Sequence, residues 1–490
     1  MTFHPRDLAP SLSPSSPLLP QRRWMLWAGG GLAMGIYPLL GWADDHDNAE
    51  KHGEGSNNGD SQAGAGAASD VALAGNALGN VVVIGGGMAG ASAAKYLRFW
   101  GGTGLKVTLV EPDAAYTSAI MSNLVLSGAR NINTLQFTLD KLVSQYGVVR
   151  KKAGLVSINP TAKQVLLSDQ STLSYDRLVL APGVEFDNAY GLTQADYDTR
   201  TPHAWRAGPQ TTLLQQQIAG MVNGDTFVMT IPKSPYRCPP GPYERACLVA
   251  DFLKTRKGPL CKVLVLDENP GIQAEVENFT QAFTTIHAGV IDYQPGATAI
   301  EIDPVLRTVR YTNHQGISNL VAAKVINPIP PQRATGSAAG GWLRAAGLSN
   351  SADGRWAKVD VLSYESTAVQ NIHVIGDAAQ CGLPKAGHVG NQEGKICADA
   401  IARLLSGQQP DPAPVANSAC YSPITASTAS WLTAVYQYAP ATATTPATMQ
   451  VAANGGNTVG AKPTEAASIS SGNFKQMNTW FTTLMGDTFT

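Results

Sequence analysis

The sequence has few charged residues and no basic stripe. Lys, Arg, Asp and Glu together make up 14% of its 490 residues, and the formal net charge is −1. Without a cluster of basic side chains there is no electrostatic basis for binding nucleic acid. The hydrophobic fraction of 44% instead indicates a folded chain with a large core. The length is typical of about two or three domains.

The sequence also lacks the cysteine spacings that bind metal ions or haem. Its six cysteines include no Cys-x-x-Cys pair, no Cys-x-x-Cys-His motif and no His and Cys cluster with zinc spacing. A structural metal is therefore not expected, and any haem must belong to another chain. Three cysteines are expected to be buried, inert thiols within helices or strands: Cys247, Cys261 and Cys397. Three are expected in loops: Cys238, Cys381 and Cys420.

Residues 1–43 have the pattern of a targeting signal and are excluded from the predicted fold. Arg22-Arg23 precedes an apolar run at 25–40, which is shorter than the roughly 20 residues of a membrane-spanning helix. This pattern predicts twin-arginine export to the periplasm, although Met25 stands where Phe is usual. An uncleaved anchor and a chance arginine pair are the alternatives. Residues 44–79 have almost no bulky apolar residues, which predicts a flexible linker.

Residues 80–111 carry a dinucleotide-binding pattern. The apolar run at 81–84 predicts a strand buried on both faces, and a helical stretch at 91–100 and a strand at 106–110 follow. Between the first strand and the helix, Gly85, Gly87 and Gly90 form a Gly-x-Gly-x-x-Gly loop. Glu111 ends the second strand, at a distance from the loop that suits a carboxylate binding an adenosine ribose. Together these features predict a dinucleotide site.

Later segments predict a second unit of the same type. A buried strand ends at Ala181-Pro182-Gly183, and residues 224–231, 243–254 and 261–266 predict a strand, a helix and a strand. A late strand ends at Gly376-Asp377 and leads into a helix at 390–405. The tail is rich in Thr, Ala, Ser and Gly, but its spaced aromatic residues favour a small packed domain.

The loop of the second unit lacks the glycines that would bind the pyrophosphate of NAD(P)H through backbone amides. Prolines, which have no N–H to donate, occupy positions 235, 239, 240 and 242. The loop instead presents Cys238. Arg237 and the start of the following helix are two features that stabilise a thiolate. We therefore expect a thiol site in place of a nicotinamide site.

The order of these motifs resembles the glutathione-reductase-like FAD enzymes. Residues 236–245, the segment Ala419-Cys420-Tyr421-Ser422 and the end of the chain resemble more specifically the flavoprotein subunit of flavocytochrome c sulfide dehydrogenase. The likeness runs from about residue 80 to the C-terminus. It implies an α/β fold with two Rossmann-like three-layer domains and a small C-terminal α+β domain. The implied boundaries are an FAD-binding domain at 80–189 and 331–409, a second Rossmann-like domain without an NAD site at 190–330, and a C-terminal domain at 410–490.

The resemblance also implies the residues of the site. In that family two cysteines form a redox-active disulfide beside the flavin, and the matching positions here are Cys238 and Cys420, with Cys381 as a competitor for the second place. Hydrosulfide would open the disulfide and the electron pair would pass to FAD. Glu244 matches a glutamate that accepts a proton, or it serves only as a helix-dipole partner. Arg237 and Arg245 raise the local anion concentration or only solvate the loop. The expected cofactor-binding residues are Gly85, Gly87, Gly90, Glu111, Ala181, Gly183, Gly376, Asp377 and Lys385.

One departure concerns how FAD is attached. Ala119 stands where some members tether FAD through a cysteine, so we expect non-covalent FAD. The implied function is periplasmic oxidation of sulfide to sulfur or polysulfide, with electrons passed to a c-type cytochrome. A sulfide:quinone oxidoreductase is one alternative, but the tail predicts no strongly amphipathic apolar helix for a membrane surface. The others are an NAD(P)H-dependent disulfide reductase and a non-catalytic persulfide carrier.

Overall fold

The computed structural model describes residues 78–452 and 461–490. The expected signal at 1–43 lies outside the described residues, as does the expected linker at 44–79 except for its last two residues, of which Gly79 already begins strand β1. The domain boundaries inferred from the sequence stay predictions.

The first part of the fold is built on a parallel sheet that begins with the predicted strand. Strands β1, β2, β5 and β9 pair in the order β9-β1-β2-β5, and the residues at 81–84 are almost fully buried. Continuous apolar strands of this kind are covered on both faces. The strands are β1 Gly79–Ile84, β2 Leu105–Val110, β3 Ala115–Thr117, β4 Gln136–Thr138, β5 Val149–Lys151, β6 Leu155–Asn159, β7 Gln164–Leu167, β8 Thr172–Ser174, β9 Arg177–Leu180 and β10 Val184–Phe186. The helices are α1 Met88–Gly101, α2 Asn123–Leu126 and α3 Asp140–Ser144.

The second part repeats the strand–helix–strand pattern around its own parallel sheet, β13-β12-β11-β17. Helix α6 connects β11 to β12, as the sequence predicts, and begins two residues earlier than the expected helix. The helices are α4 Gln194–Thr199, α5 Pro209–Ala219, α6 Gly241–Arg256 and α7 Val276–Gln281. The strands are β11 Thr226–Ile231, β12 Lys262–Asp267, β13 Ile291–Pro295, β14 Thr298–Asp303, β15 Thr308–Thr312, β16 Ser318–Ala322, β17 Val325–Pro328 and β18 Gln332–Ala334.

The chain then returns to the first sheet. Strand β20 pairs in parallel with β9, and α9 packs against α1. The elements are α8 Trp342–Ala345, β19 Ala357–Lys358, β20 Ile372–Val374, β21 Ala379–Gln380 and α9 Gly387–Leu405. Two α/β parts of this kind confirm the predicted fold class.

The tail forms an antiparallel sheet and a long helix. The elements are β22 Val415–Pro423, β23 Ala429–Ala439, β24 Thr448–Val451, β25 Thr464–Glu465 and α10 Ser471–Phe489. The expectation that Cys420 lies in a loop is wrong, since it pairs with Leu432 inside the β22–β23 ladder. Cys261 lies just before β12 rather than within a strand, but it is fully buried, as are Cys247 and Cys397.

Helix α10 supplies the helical part of the expected C-terminal α+β domain, although the composition of the tail does not show where it lies. Its apolar face is buried against the first part of the fold, where the Phe489 ring lies 5.3 Å from Tyr116 and 5.5 Å from Phe137 between centroids. Asp487 fixes the helix by a 2.7 Å ion pair with Lys395 of α9. Within the described ranges, no helix is both long and apolar enough to cross a membrane.

Candidate active site

A cavity of about 560 Å³ lies at the carboxyl ends of β1, β2, β9 and β20. This is the edge of a parallel sheet at which α/β proteins bind their ligands. The loop before α6 and the β22 strand close the other side of the cavity. Among its lining residues are Gly85, Gly87, Glu111, Ala119, Ala181, Gly183, Cys238, Glu244, Gly376, Asp377, Cys420 and Trp480.

The glycine loop brings bare backbone to one end of this cavity. Gly85 has a φ of +98°, and a Cβ there would lie 2.3 Å from the Ala181 carbonyl oxygen. Gly87 precedes α1 without a side-chain cap, and a Cβ there would lie 3.8 Å from the Tyr116 ring, in van der Waals contact. The first N–H groups of α1 are therefore free to bind a pyrophosphate. Gly90 was expected to bind the cofactor, but it has a packing role instead. A Cβ there would lie 1.9 Å from the Gly85 carbonyl oxygen, so this glycine lets α1 pack against β1.

Glu111 lies at the same end of the cavity. It follows β2, and its carboxylate accepts hydrogen bonds from the backbone N–H of Gly86 at 2.7 Å and of Asp113 at 2.9 Å. These bonds fix the carboxylate beside the glycine loop, where it can accept a bond from a ribose hydroxyl.

The turn after β20 supplies the other end of the expected cofactor site. Gly376 has a φ of +71°, and Asp377 follows it into the cavity with a 3.9 Å ion pair to Arg237. Burial raises the pKa of Asp377 despite this pair and the nearby Lys385. Lys385 is not among the cavity-lining residues of the described chain. It donates to the carbonyl oxygens of Asp377 at 2.7 Å and Ala379 at 2.9 Å, and so supports the turn from behind. Apart from Gly90 and Lys385, the residues at both ends fit FAD.

Cys238 lies in the loop before α6 with a φ of +60°. Its sulfur packs on the first turn of that helix, since a Cβ on Gly241 would lie 2.8 Å from Cys238 Sγ. Cys420 reaches the same cavity from β22, and a charge on Cys420 would raise the pKa of Cys238. The two residues are 182 positions apart in the sequence. All six cysteines fall within the described ranges, and in the structure all six are free thiols.

The expectation of a stabilised Cys238 thiolate is wrong. Burial raises the pKa of Cys238 well above its ordinary value, and the lowering effect of Arg237 does not compensate. Burial also raises the pKa of Cys420 to about 12, with the charges of Glu275 and Glu244 acting in the same direction. Both shifts favour a neutral thiol over a thiolate at these two positions, so forming a bond between the two sulfurs calls for a base.

Glu244 is the candidate for such a base. It lies in the first turn of α6, is buried, lines the cavity, and accepts a 2.9 Å hydrogen bond from Asn123 Nδ2. Burial raises the pKa of Glu244 to about 8. The hydrogen bond from Asn123 lowers the pKa, the charge of Glu275 raises it further, and the charge of Arg245 lowers it. A carboxyl in this environment can take up a proton near neutral pH, which a simple dipole partner at a surface helix end cannot do.

The structure also places Arg245 and Cys381, two residues with alternative expected roles. Arg245 does not solvate the loop: it is buried, donates to the carbonyl oxygens of His203 at 2.7 Å and Ala204 at 2.8 Å, and stacks 4.6 Å from the Trp205 ring. Within the described residues, Cys381 is not part of the cavity lining. Its thiol donates a hydrogen bond to Glu393 Oε1 at 3.1 Å. Of the two candidates for the second position, Cys420 lines the cavity with Cys238 and Cys381 does not.

Four site residues were missed by sequence reasoning. Asn123 orients Glu244 and accepts from Arg245, and Trp205, Arg206 and His388 line the cavity. Their partners are distant in the sequence, so no local pattern identifies them. Trp480 also lines the cavity and lies 5.4 Å from the Tyr421 ring, which places the aromatic residues of the tail at the site.

Two family models match this chain. Residues 211–330 match the central part of the "Sulfide dehydrogenase [flavocytochrome c] flavoprotein chain". Residues 79–208 match the pyridine nucleotide-disulphide oxidoreductases. The resemblance to the flavocytochrome c sulfide dehydrogenase flavoprotein is confirmed. These matches support a flavin-dependent oxidoreductase of the sulfide/disulfide type, with FAD as its cofactor.

Several solved structures share the fold of this chain. The sulfide:quinone oxidoreductase of Aquifex aeolicus is 18% identical with a TM-score of 0.65, and the match covers 83% of this chain and 92% of that one. The NAD-dependent persulfide reductase of A. fulgidus is 16% identical with a TM-score of 0.54, covering 72% and 64%. Putidaredoxin reductase, in its covalent complex with putidaredoxin, is 18% identical with a TM-score of 0.55, covering 74% and 82%.

Proposed function

We propose that this protein oxidises hydrosulfide to sulfur or polysulfide through a disulfide between Cys238 and Cys420 and through bound FAD. The observation that carries the proposal is that both cysteines line one cavity with the glycine loop, Glu111 and Asp377. A thiol pair and a dinucleotide cradle in one cavity suit the transfer of an electron pair from sulfur to a flavin.

The proposed reaction balances in three steps. Hydrosulfide attacks one sulfur of the disulfide, so that a new S–S bond forms on one cysteine and the other leaves as a thiolate. A second hydrosulfide removes the outer sulfur as a disulfide anion and leaves a cysteine thiol. The thiol and thiolate then rejoin, which releases one proton to Glu244 and two electrons. FAD, when bound, supplies the two-electron acceptor for this step.

The loop of the second Rossmann-like part supports sulfide rather than NAD(P)H as donor. Three prolines, at positions 239, 240 and 242, precede or begin α6, so the backbone there offers few N–H groups to a pyrophosphate. The space at the start of α6 is instead taken by the Cys238 sulfur, which packs on Gly241.

We propose further that the electron acceptor is a c-type cytochrome and that the protein works in the periplasm. The acceptor follows from the family description, and the location follows from the arginine pair and apolar run at 22–40. A quinone acceptor, as in the name of the Aquifex relative, is the alternative. The buried apolar face of α10 favours the cytochrome, because that face packs on the fold and is not free to lie in a membrane.

The first test is anaerobic titration with sulfide, followed by flavin absorbance. We expect sulfide to bleach the wild-type flavin, and Cys238→Ser and Cys420→Ser to be at least about 1,000-fold slower while retaining FAD. Cys261→Ser is the matched control, because its hydroxyl can keep the bond to the Val222 carbonyl oxygen that the Cys261 thiol makes. Wild-type bleaching in Cys238→Ser would contradict the mechanism.

The second test identifies the acceptor. The sulfide-reduced protein is mixed with a c-type cytochrome or with a soluble quinone, and reoxidation of the flavin is timed. Faster reoxidation by the cytochrome supports the proposal. Faster reoxidation by the quinone selects the alternative, and labelling of Cys238 without any flavin bleaching selects a persulfide carrier.

A further inference from the structure

Glu275 is a buried carboxyl that the proposed reaction does not yet use. It directly precedes α7 with a φ of +53°, and only 1% of its surface is exposed. Its Oε1 accepts a 2.6 Å hydrogen bond from Ser422 Oγ. Its Oε2 has no hydrogen-bond partner in the described part of the chain. A buried polar atom of this kind requires an explanation, because leaving it unpaired is costly.

Strand β22 connects Glu275 to the cysteine site. Ser422 lies two residues after Cys420, so the two side chains point to the same face of the strand. Ser430 pairs with Ser422 across the ladder and also faces the Glu275 carboxyl. Among charged groups, Glu275 has the largest effect on the pKa of Cys420.

The groups that face Glu275 are acidic or neutral. They are Glu244 and Cys247 of α6, Cys420 and Ser422 of β22, Ser430 of β23 and Glu465 of β25. None of these groups is a cation, and the structure shows no ion pair for Glu275 within residues 78–452 and 461–490. Burial raises the pKa of Glu275 to about 7, and no neighbouring cation among the described residues offsets this effect. The hydrogen bond from Ser422 acts in the opposite direction and lowers the pKa.

Each cycle of the proposed reaction releases one proton when the cysteine thiol rejoins its partner, and one more for each of the two hydrosulfides that arrives as H₂S. We propose that Glu275 is a second proton acceptor of the cysteine site, coupled to Glu244: one carboxylate takes up the thiol proton, and the other takes up a proton from H₂S as it enters as hydrosulfide. Each proton forms an O–H bond on a carboxylate and neutralises its charge, while the electron pair passes to FAD. This inference rests on the proposed function.

The test uses Glu275→Gln, with Glu277→Gln on the exposed side of the same helix as the matched control. The rate of flavin reduction by sulfide is measured by rapid mixing from acid to alkaline pH. We expect Glu275→Gln to be roughly tenfold slower near neutral pH, less than the 10²-fold or more that a direct base supplies. Its pH midpoint moves to lower pH, because Glu244 no longer experiences the Glu275 charge. Glu277→Gln keeps the wild-type profile.

A second measurement does not depend on activity. Infrared spectra recorded over the same pH range report the C=O stretch of protonated carboxyl groups. We expect the wild type to lose this band as the pH rises through neutrality, and Glu275→Gln to lack one component of it. Ser422→Ala keeps the carboxyl but removes its bond, so its component disappears at a higher pH than in the wild type.

The two proposals fail in different ways. A wild-type flavin that sulfide does not bleach contradicts the proposed function, and the infrared titration still tests Glu275. A flavin that sulfide bleaches with the same pH profile in wild type and Glu275→Gln overturns the role of Glu275 alone. An infrared component unchanged in Glu275→Gln overturns it as well.

Discussion

The cost of burying the Glu244 carboxylate predicts a pH-dependent gain in stability for Glu244→Gln. Burial raises the pKa of this group from 4.5 to about 8. The folded state therefore binds a proton more tightly than the unfolded state, and the wild type loses stability as the pH rises from about 4.5 through about 8. At about 1.4 kcal/mol per pKa unit, the loss amounts to at most about 5 kcal/mol above this range.

Glutamine removes this cost while its amide oxygen keeps the hydrogen bond from Asn123 Nδ2. Denaturant midpoints of holoprotein are compared between wild type and Glu244→Gln at a series of pH values. We expect near-equal midpoints at acid pH and a growing advantage for the variant toward alkaline pH, with Glu277→Gln as the exposed control. If the difference in denaturant midpoint between wild type and Glu244→Gln did not change with pH, the reasoning would be refuted. That result would mean that Glu244 ionises in the folded protein as it does in water.

Three further predictions concern the cofactor. Gly90→Ala places a Cβ 1.9 Å from the Gly85 oxygen, so we expect a loss of about 2 kcal/mol or more and less flavin per chain in the purified protein; a normal flavin content would contradict this. Because Ala119 lines the cavity where a tethering cysteine would be needed, denaturation followed by filtration releases free FAD, and flavin retained with the chain would disprove non-covalent binding. NADH leaves the flavin oxidised over the time in which sulfide bleaches it; rapid bleaching by NADH would restore the disulfide reductase alternative.

The parts of the fold that the sequence predicts are those with strong local patterns. The apolar run at 81–84, the glycine loop and the helix after it form as expected, because a buried strand and a glycine-rich turn are specified within a few residues. The resemblance implies an α+β tail, but the position of helix α10 could not be predicted because its apolar residues are spaced among Thr, Asn and Gly. It is stabilised by packing on Tyr116 and Phe137, which no local pattern reports.

The residues of the site also divide into those that a local sequence pattern identifies and those that depend on the folded chain. The two cysteines and Glu244 were found from motifs, but the direction of the Cys238 pKa was predicted wrongly. The neighbouring Arg237 is visible in the sequence, whereas the burial that outweighs it is a property of the folded chain. Asn123 was passed over for a similar reason: its bonds to Glu244 and Arg245 join residues more than a hundred positions apart.

Cys238 and Cys420 come from different parts of the fold, a loop before α6 and a strand of the tail sheet. A covalent bond between them closes a ring of about 180 residues, which in the unfolded chain removes roughly 5 kcal/mol of conformational freedom. In the proposed reaction each turnover would alternate the molecule between a cross-linked and an open form. Its melting temperature would then be highest in the oxidised protein and lowest just after sulfide has opened the bond.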